Sequence, residues 1–508
     1  MDLYKHFLFR RGYLITNARL DTLDHATAEY LQERYKKIDV ASFYIFFDYQ
    51  LDIATYRGQG TEIVILGTIL DPVNNVICSN KIVQQLHSAY IQSDGIFFDY
   101  LDNLSGRFLV LVASQSRHFI LQDAAGNRSA FYSRSLDRFF VSSHAQIIAD
   151  INKYNVPEER KNFIQYLGAG NGRALRHFPG LLTPYGEISM LTPNTYLNIN
   201  DFSVQRFFPR QEIKREKLSP LFIDELSELF TRQITLLNQK FKLSVSVTGG
   251  TDSRLTLAST KHLKDDIFYF TYRFSSFQGQ DARLAQKMCN RLGLNHHLIE
   301  GKNWVLDKSE VAFLDIFHKN TAYMRASIQG LVIKKLLESL PTNSLHIKSN
   351  VSEVARARYR RSAYLAPQKE ATPQILSQFY GIYPRSKFCV NGFKEFIETT
   401  HLTRDSIFNY DYFDLFLWEH RMGCWQSLAI LDSDMAHDTY ILYNNRTILK
   451  KMLSVDFRHR ATDGLHRKLI ENLWPEVLQD PINPWKKKAS WFEKIIKGLK
   501  MRYLYHFG

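Results

Sequence analysis

A short polar segment between residues 248 and 253 has the residue types and spacing best suited to chemistry in this sequence. Its members are Thr248, Gly249, Gly250, Thr251, Asp252 and Ser253. The alternating run Leu243-Ser-Val-Ser-Val247 precedes it and predicts a β-strand. The paired glycines allow a tight turn with inward-pointing backbone N–H groups, and a helix is predicted to begin at Asp252. Together, the turn and the helix N-terminus predict a binding site for an anion.

The segment resembles the pyrophosphate loop (PP-loop), [Ser/Thr]-Gly-Gly-x-Asp-Ser, of enzymes that cleave ATP into AMP and pyrophosphate. It lacks the lysine that follows the glycines in the phosphate loop of mononucleotide kinases. An ordinary Gly-Gly turn between a strand and a helix is the alternative interpretation. The resemblance implies that the loop backbone and Ser253 hold pyrophosphate, and that Asp252 orients Mg²⁺ on it. By the same resemblance, the adenine of ATP is expected near Val247 and Tyr272.

Composition narrows the class of protein. The 508 residues suffice for two or three domains, and the formal net charge is +14. A basic surface suits nucleic acid, an anionic membrane or phosphate-bearing substrates, and it is equally compatible with no polyanion at all. The four cysteines show no Cys-x-x-Cys spacing, which favours reduced thiols over a zinc site. We expect a cytoplasmic protein, because the sequence shows neither a signal-peptide pattern nor a run of ~18–20 apolar residues.

Short strands separated by turns dominate the first part of the chain. Strands are predicted at 44–48, 61–67, 107–113, 118–122 and 139–144, and helices at 26–37 and 81–91. Many short strands flanked by helices favour a layered α+β domain.

Strands and helices alternate in the second part. A helix with a serine N-cap and a first-turn proline is predicted from Pro220 to about 239. Strands are predicted at 243–247, 267–272, 295–299 and 344–348, and helices at 281–293, 331–340 and 413–431. This alternation predicts an α/β fold, with a doubly wound parallel sheet and a helical C-terminal part. Ligands of such sheets bind at the carboxyl ends of the strands.

The motif order of the first part resembles the N-terminal domain of asparagine synthetase-like proteins. The matching segments are Gly106-Arg-Phe108, Asp123-Ala-Ala-Gly126, Phe131-Tyr132 and Ser142-Ser143. The resemblance implies an Ntn-hydrolase-like, glutaminase-like domain over residues 1–205. It further implies a PP-loop synthetase domain over residues 206–508.

Weaker matches follow the loop. Ser349-Asn-Val-Ser-Glu353 occupies the place of the family's second motif, Ser-Gly-x-Gly-x-Asp-Glu. Glu353 falls on the glutamate, whereas Ser352 replaces an aspartate that helps to hold magnesium in the family. Lys486 and Lys487, with Lys488, occupy the place of a lysine segment that stabilises pentavalent phosphate. The resemblance implies that Glu353 assists the metal or the incoming amine, and that one of these lysines neutralises developing phosphate charge.

A cluster of arginines follows the second motif. Its members are Arg356, Arg358, Arg360 and Arg361. They predict either a solvated basic helix or a site for phosphate or carboxylate groups.

The resemblance implies an ATP-dependent ligase that forms amide bonds. A small-molecule carboxylate would attack the α-phosphate of ATP, and ammonia or an amine would then displace AMP from the acyl-adenylate. Nucleic acid is not expected as a partner. One alternative is an RNA-modifying PP-loop enzyme, although the loop usually opens the chain in such enzymes. The other is a non-catalytic scaffold relative, which the altered 349–353 motif would suit.

The C-terminal residues 485–508 predict a basic amphipathic helix. Its apolar face comprises Trp491, Phe492, Ile495, Ile496 and Leu499. One interpretation is peripheral contact with the anionic inner face of a membrane. The other is that the apolar face docks on the synthetase domain and leaves the lysines in solvent.

The family's glutaminase reaction requires a cysteine nucleophile directly after the initiator Met. Here position 2 is Asp2, and the first cysteine is Cys78. A carboxylate cannot replace a thiol activated by its own terminal amine. We therefore expect the purified protein to release no glutamate from glutamine above the level of a heat-killed control. Release above that control would contradict this prediction.

Overall fold

The computed structural model describes residues 4–135, 137–168, 177–275, 278–301, 306–363, 371–381 and 386–484, with Ser490, Phe492, Glu493, Ile495, Ile496 and Leu499 beyond them. Within these residues, none of the helices combines the length and the apolar character that a bilayer crossing requires. Most of the predicted C-terminal helix lies outside the described residues.

The strands are β1 Tyr13–Thr16, β2 Lys36–Val40, β3 Phe43–Phe47, β4 Ile53–Gly58, β5 Thr61–Leu70, β6 Ser105–Ser114, β7 His118–Gln122, β8 Phe131–Ser135, β9 Arg138–Ser142, β10 Ser189–Met190, β11 Thr195–Asn198, β12 Val204–Arg206, β13 Lys242–Ser246, β14 Phe268–Arg273, β15 His296–Glu300, β16 Ser344–Lys348 and β17 Asp438–Ile441. The α-helices are α1 Ala26–Arg34, α2 Ser79–Gln92, α3 Asp94–Asn103, α4 Ala145–Asn152, α5 Glu158–Gly168, α6 Pro220–Asn238, α7 Thr251–Ala258, α8 Gly279–Arg291, α9 Lys308–Asn320, α10 Ser327–Ser339, α11 Arg358–Ala363, α12 Pro373–Tyr380, α13 Lys387–Thr400, α14 Tyr412–Phe416, α15 Ser427–Ser433, α16 Arg446–Ser454, α17 Phe457–Ala461 and α18 Gly464–Leu473. A π-helix, Leu417–Gln426, joins α14 to α15.

Residues 13–206 form two antiparallel sheets packed face to face. One sheet has the order β10-β8-β9-β1-β3-β2, and the other β12-β11-β7-β6-β5-β4. Alternate side chains of each strand point to opposite faces, so one set from each sheet fills the space between them. Ile15 and Ile45 of the first sheet pack in this way in one core cluster with Leu66 and Leu109 of the second.

Helices cover the outer faces of both sheets. Helices α1 and α4 contribute Leu31 and Ile147 to a cluster that contains Leu14 of the first sheet. Helices α2 and α3 contribute residues such as Leu86 and Phe97 to the cluster that covers the second sheet. The layered α+β arrangement predicted from the sequence is therefore present, as four layers.

A five-stranded parallel sheet forms the second part, in the order β15-β14-β13-β16-β17. The chain proceeds from β13 outward to β15, then returns to the other side of β13 to form β16 and β17. The crevice beyond the carboxyl ends of β13 and β16 is thus the point where the strand order reverses. Such switch points are where open parallel sheets bind ligands.

The predicted elements mostly match the structure, with three differences. The helix predicted at 26–37 ends at Arg34, because Lys36–Val40 pairs with Phe43–Phe47 as a strand. The fifth parallel strand, Asp438–Ile441, was not predicted. The division between residues 205 and 206 falls inside β12 and stays a prediction.

A buried ion pair joins the antiparallel and parallel parts of the molecule. Arg107 of β6 forms a bidentate pair with Asp434, whose Oδ2 lies 2.7 Å from Nη2. The two side chains are 1% and 2% exposed. Removing one partner of such a pair leaves an uncompensated charge in the interior.

We expect Asp434→Ala to lower the free energy of unfolding by about 3–5 kcal/mol, because it removes the bidentate partner of the buried Arg107 guanidinium and leaves it the more distant Asp438, at 3.4 Å. Equilibrium denaturation in urea measures this change. The matched control is Asp21→Ala, which breaks the exposed pair with Arg19 and should leave stability essentially unchanged. An equal effect of the two substitutions would contradict the role given to the buried pair.

Candidate functional site

The segment 248–253 forms a turn between β13 and α7, as the sequence predicted. Gly250 is the N-cap of α7, and no side chain caps the helix there. The N–H of Gly249 donates to Asp281 Oδ1 at 2.6 Å, so this turn already binds one carboxylate. Ser253 Oγ lies 2.7 Å from Thr248 Oγ1 and braces the turn from within. The local chemistry is that of an anion site at a helix N-terminus.

Asp252 is the point where several elements converge on the loop. Its Oδ1 accepts a hydrogen bond from Ser352 Oγ at 2.5 Å, and its Oδ2 accepts one from Arg356 Nη1 at 2.6 Å. His466 of α18 lies 2.8 Å from Ser352 Oγ through Nε2, and the hydroxyl of Tyr443 donates to the Asp252 carbonyl. Burial lowers the pKa of His466 to about 4, so its imidazole is neutral near pH 7.

Arg356 joins two carboxylates. Its Nε and Nη2 donate to the two oxygens of Asp463, each at 2.8 Å, while Nη1 contacts Asp252. Burial alone would lower the pKa of Arg356, but the charges of Asp252 and Asp463 raise it above its ordinary value. The sequence left open whether the arginine cluster is solvated or binds phosphate or carboxylate groups, and Arg356 binds carboxylates. The carboxylates that it binds belong to the protein itself.

The turn after β16 that carries Ser352 is strained. Val351 is fully buried and has φ +76°, a conformation that β-branched residues rarely adopt. Strain of this kind persists where the surroundings hold it in place, and it is frequent at functional sites. Here it accompanies the contacts of Ser352 with Asp252 and His466.

Glu353 lies beside this network and is under-satisfied. Its Oε1 is 3.5 Å from Arg358, and its buried Oε2 has no hydrogen-bond partner in the part of the chain that the structure describes. Burial and then the charge of Asp252 raise the pKa of Glu353 above its ordinary value. A carboxyl group in such surroundings is suited to proton transfer.

Two side chains of the π-helix extend the polar cluster around Glu353. Arg421 is close enough for its charge to lower the pKa of Glu353, and it stacks 4.6 Å from the ring centre of Trp425. Buried Arg421 Nε and Trp425 Nε1 have no hydrogen-bond partner among the described residues. π-Helical turns are frequent at functional sites. The sequence showed both residues in a helical stretch but gave no sign of the π-turn that presents them.

The structure describes two of the four other site residues that the sequence predicted, Val247 and Tyr272. Val247 is fully buried in the core, so only its backbone could face a nucleotide. Tyr272 lies half-buried on β14. Burial raises the pKa of its hydroxyl, and the charge of Asp281 raises it further. Tyr272 therefore lies near the carboxylate that contacts the loop. Lys486 and Lys487 lie outside the described residues.

The segment preceding those lysines is attached to the loop. Arg254 of α7 is fully buried and donates to the carbonyls of Val477, Asp480 and Pro481. The N–H of Asn483 then donates to the Gly249 carbonyl at 3.2 Å. The sequence suggested no role for Arg254, because its partners are more than 200 residues away.

The described residues do not fit a magnesium ion held by Asp252. Mg²⁺ requires oxygen ligands in near-octahedral geometry, usually one or two carboxylates together with phosphates and water. Both Asp252 oxygens already accept hydrogen bonds, one from the Ser352 hydroxyl and one from Arg356. The adjacent guanidinium of Arg356 would also repel a cation. The positive charge at this position therefore comes from Arg356.

The chain matches no protein-family model and no curated protein. Among solved structures, it is similar to glutamine-dependent NAD+ synthetase from Acinetobacter baumannii, with 10% identity, a TM-score of 0.21, and 34% of this chain and 32% of that one covered. The chain therefore spans about a third of the length of that enzyme.

Two further solved structures are similar at the same level. NMN synthetase from Francisella tularensis has 12% identity and a TM-score of 0.21, over 40% of this chain and 94% of that one. Glutamine phosphoribosylpyrophosphate amidotransferase from B. subtilis has 11% identity and a TM-score of 0.22, over 70% and 72%. None of these similarities assigns an activity to this chain.

We expect Glu353→Gln to raise the free energy of unfolding at pH 7, by about 1 kcal/mol, because it removes an under-satisfied buried charge. Because the pKa of Glu353 is raised in the folded state, ionisation opposes folding above the ordinary carboxyl range. The advantage of the variant should therefore shrink as the pH falls through the raised pKa. Urea denaturation between pH 4 and 8 measures both effects.

The matched control is the exposed Glu471, since Glu471→Gln should change stability little at any pH in that range. A loss of stability in Glu353→Gln at pH 7 would show that the ionised carboxylate supports the fold.

Proposed function

We propose that the chain is an ATP-dependent ligase that adenylates a carboxylate and transfers the acyl group to ammonia or an amine, as in the asparagine synthetase-like family. The main support is one observation. An uncapped helix N-terminus follows a Thr-Gly-Gly turn at the switch point of a parallel sheet, and this turn already binds an oxyanion, the carboxylate of Asp281. In this proposal, the phosphates of the nucleotide displace the Asp281 carboxylate from the Gly249 N–H.

The loop would hold the pyrophosphate part of ATP. The Gly249 N–H already donates to a carboxylate, and with the N–H groups that open α7 it would face the pyrophosphate, with the helix dipole behind them. Arg356, held by Asp463 next to the loop, would stabilise the charge that develops on the departing pyrophosphate. Asp252 would keep that guanidinium in place, and Tyr272 would lie on the nucleotide's side of β14.

The chemistry would proceed in two steps. First, a carboxylate oxygen of the substrate attacks the α-phosphorus, and the bond to pyrophosphate breaks. Second, the nitrogen of ammonia or an amine attacks the acyl carbon and AMP leaves. Glu353 would take the proton that the nitrogen loses, since its raised pKa favours accepting one.

The substrate would lie between the loop and the π-helix. Arg421 presents a guanidinium near Glu353, with an unpartnered Nε among the described residues, and is suited to hold a carboxylate. Asn483 brings the chain to the loop shortly before Lys486 and Lys487. This proximity favours the proposal that one of these lysines neutralises phosphate charge.

The same proposal extends to the N-terminal part. Residues 1–205 would be a glutaminase-like domain without its nucleophile, and residues 206–508 the synthetase domain. The buried contacts between the two sheet systems, such as Arg107 with Asp434, support a structural role for the first domain. We also propose that the protein is cytoplasmic and that residues 485–508 contact the inner face of a membrane.

A non-catalytic relative is the second candidate. It is favoured by the ion pair of Arg356 with Asp252, and by Asp281 on the Gly249 N–H. In that case, these contacts would hold a closed, purely structural loop, and nucleotides would not displace them.

We expect Asp252→Ala to reduce ATP–pyrophosphate exchange by about a hundredfold or more, because Arg356 loses the carboxylate that positions it at the loop. Exchange is measured with labelled pyrophosphate and pooled amino acids, sugar acids and peptides as carboxylates. The control is Asp266→Ala, at an exposed aspartate on the same domain.

Unchanged exchange in a folded Asp252→Ala protein would contradict the loop assignment. No exchange by the wild type, combined with no effect of ATP on its melting temperature, would favour the non-catalytic relative.

A further inference from the structure

A polar cavity of about 430 Å³ lies between the antiparallel and parallel sheets. Its parallel-sheet wall comes from residues at the amino ends of strands: Lys240 just before β13, Ser344 at the start of β16, and Asp438 at the start of β17. The loop at 248–253 follows the opposite, carboxyl end of β13. A strand of this length extends about 15 Å, so the cavity and the loop are separate sites.

The cavity wall contains a buried cation that the protein leaves incompletely satisfied. Arg128 is 1% exposed, and its Nε has no hydrogen-bond partner among the described residues. Its two other contacts are long, at 3.3 Å to the Arg11 carbonyl and 3.4 Å to the Arg107 carbonyl. Burial and the neighbouring charge of Arg107 lower the pKa of Arg128 to about 10. A buried guanidinium in this condition gains from an added anion.

The carboxylates of the cavity give the Arg128 Nε no hydrogen bond, although the charge of Asp438 acts on the guanidinium and raises its pKa. Asp52 pairs with Lys240 at 2.6 Å. Asp438 accepts hydrogen bonds from the Thr439 N–H and Thr68, and it lies 3.4 Å from Arg107. The hydroxyl of Ser344, also in the wall, is buried with no partner among the described residues. A charged donor and a neutral one therefore remain for a ligand.

The charge of the lining indicates the class of ligand. Three cations, Arg11, Arg128 and Lys240, face two carboxylates, Asp52 and Asp438, which leaves one positive charge in excess. A single carboxylate balances that excess, whereas a phosphate dianion would add uncompensated charge beside two acids. The amides of Gln50 and Asn343 also line the cavity and can bind hydroxyl, amide or carbonyl groups of the same ligand.

We propose that this cavity is a binding site for a small polar monocarboxylate, held by the guanidinium of Arg128 and the hydroxyl of Ser344. The site is independent of the proposed ligase reaction, because it lies at the amino ends of the parallel strands and the loop lies at their carboxyl ends. Occupation would stabilise the contact between the antiparallel and parallel parts of the protein.

The test measures the melting temperature of the full chain with sodium acetate, glycolate and lactate, against sodium chloride at equal ionic strength. Sulfate and phosphate serve as divalent comparators. We expect a saturable rise of about 3–6 °C for at least one monocarboxylate at roughly a hundredfold excess over its Kd. No rise beyond chloride, or a larger rise with sulfate or phosphate, would overturn the proposal.

Arg128→Met keeps the length of the side chain and removes its charge. We expect its melting temperature without ligand to equal or exceed that of the wild type, and the carboxylate-dependent rise to disappear. Arg138→Met, at an exposed arginine on β9, is the control that keeps the rise. A folded Arg128→Met protein that retains the rise would overturn the proposal.

Ser344→Ala provides a second test should Arg128→Met not fold. Since the hydroxyl has no partner to lose, this variant should fold normally and bind the carboxylate about tenfold more weakly. Wild-type affinity in Ser344→Ala would overturn the proposal. Asp252→Ala should retain the full rise, and its loss there would place the carboxylate at the loop instead.

Discussion

The guanidinium of Arg356, shared between Asp252 and Asp463, is the contact on which the arrangement of the site depends. It connects the turn after β13, the turn after β16 and the start of α18. Without it, two part-buried carboxylates would face each other across the switch point of the sheet. With it, they are held apart, and one guanidinium lies between them beside the turn at 248–253.

This contact also separates the site from a metal-centred one. In the family that the sequence resembles, two aspartates hold magnesium at this place. Here Ser352 and Arg356 both donate to Asp252. Arg356 therefore balances the charge of Asp252 in this chain.

Local features of the chain could be predicted from the sequence, because they depend on neighbouring residues. Alternating apolar residues predicted β13, β14 and β16, and the Thr-Gly-Gly segment predicted the turn before α7. Contacts between distant residues could not be predicted in this way. Arg356 is 104 residues from Asp252 and 107 from Asp463, and the π-turn that presents Arg421 depends on packing around it. The strand β17 is four residues long, too short for a clear periodic pattern.

A crystal structure of the protein with AMP and pyrophosphate would show directly whether the turn at 248–253 binds the phosphates of a nucleotide. We expect pyrophosphate on the backbone N–H groups of 249–253, within hydrogen-bond distance of Arg356, with Asp281 displaced from Gly249. A nucleotide bound elsewhere, or a loop that keeps Asp281 and excludes pyrophosphate at saturating concentration, would contradict it.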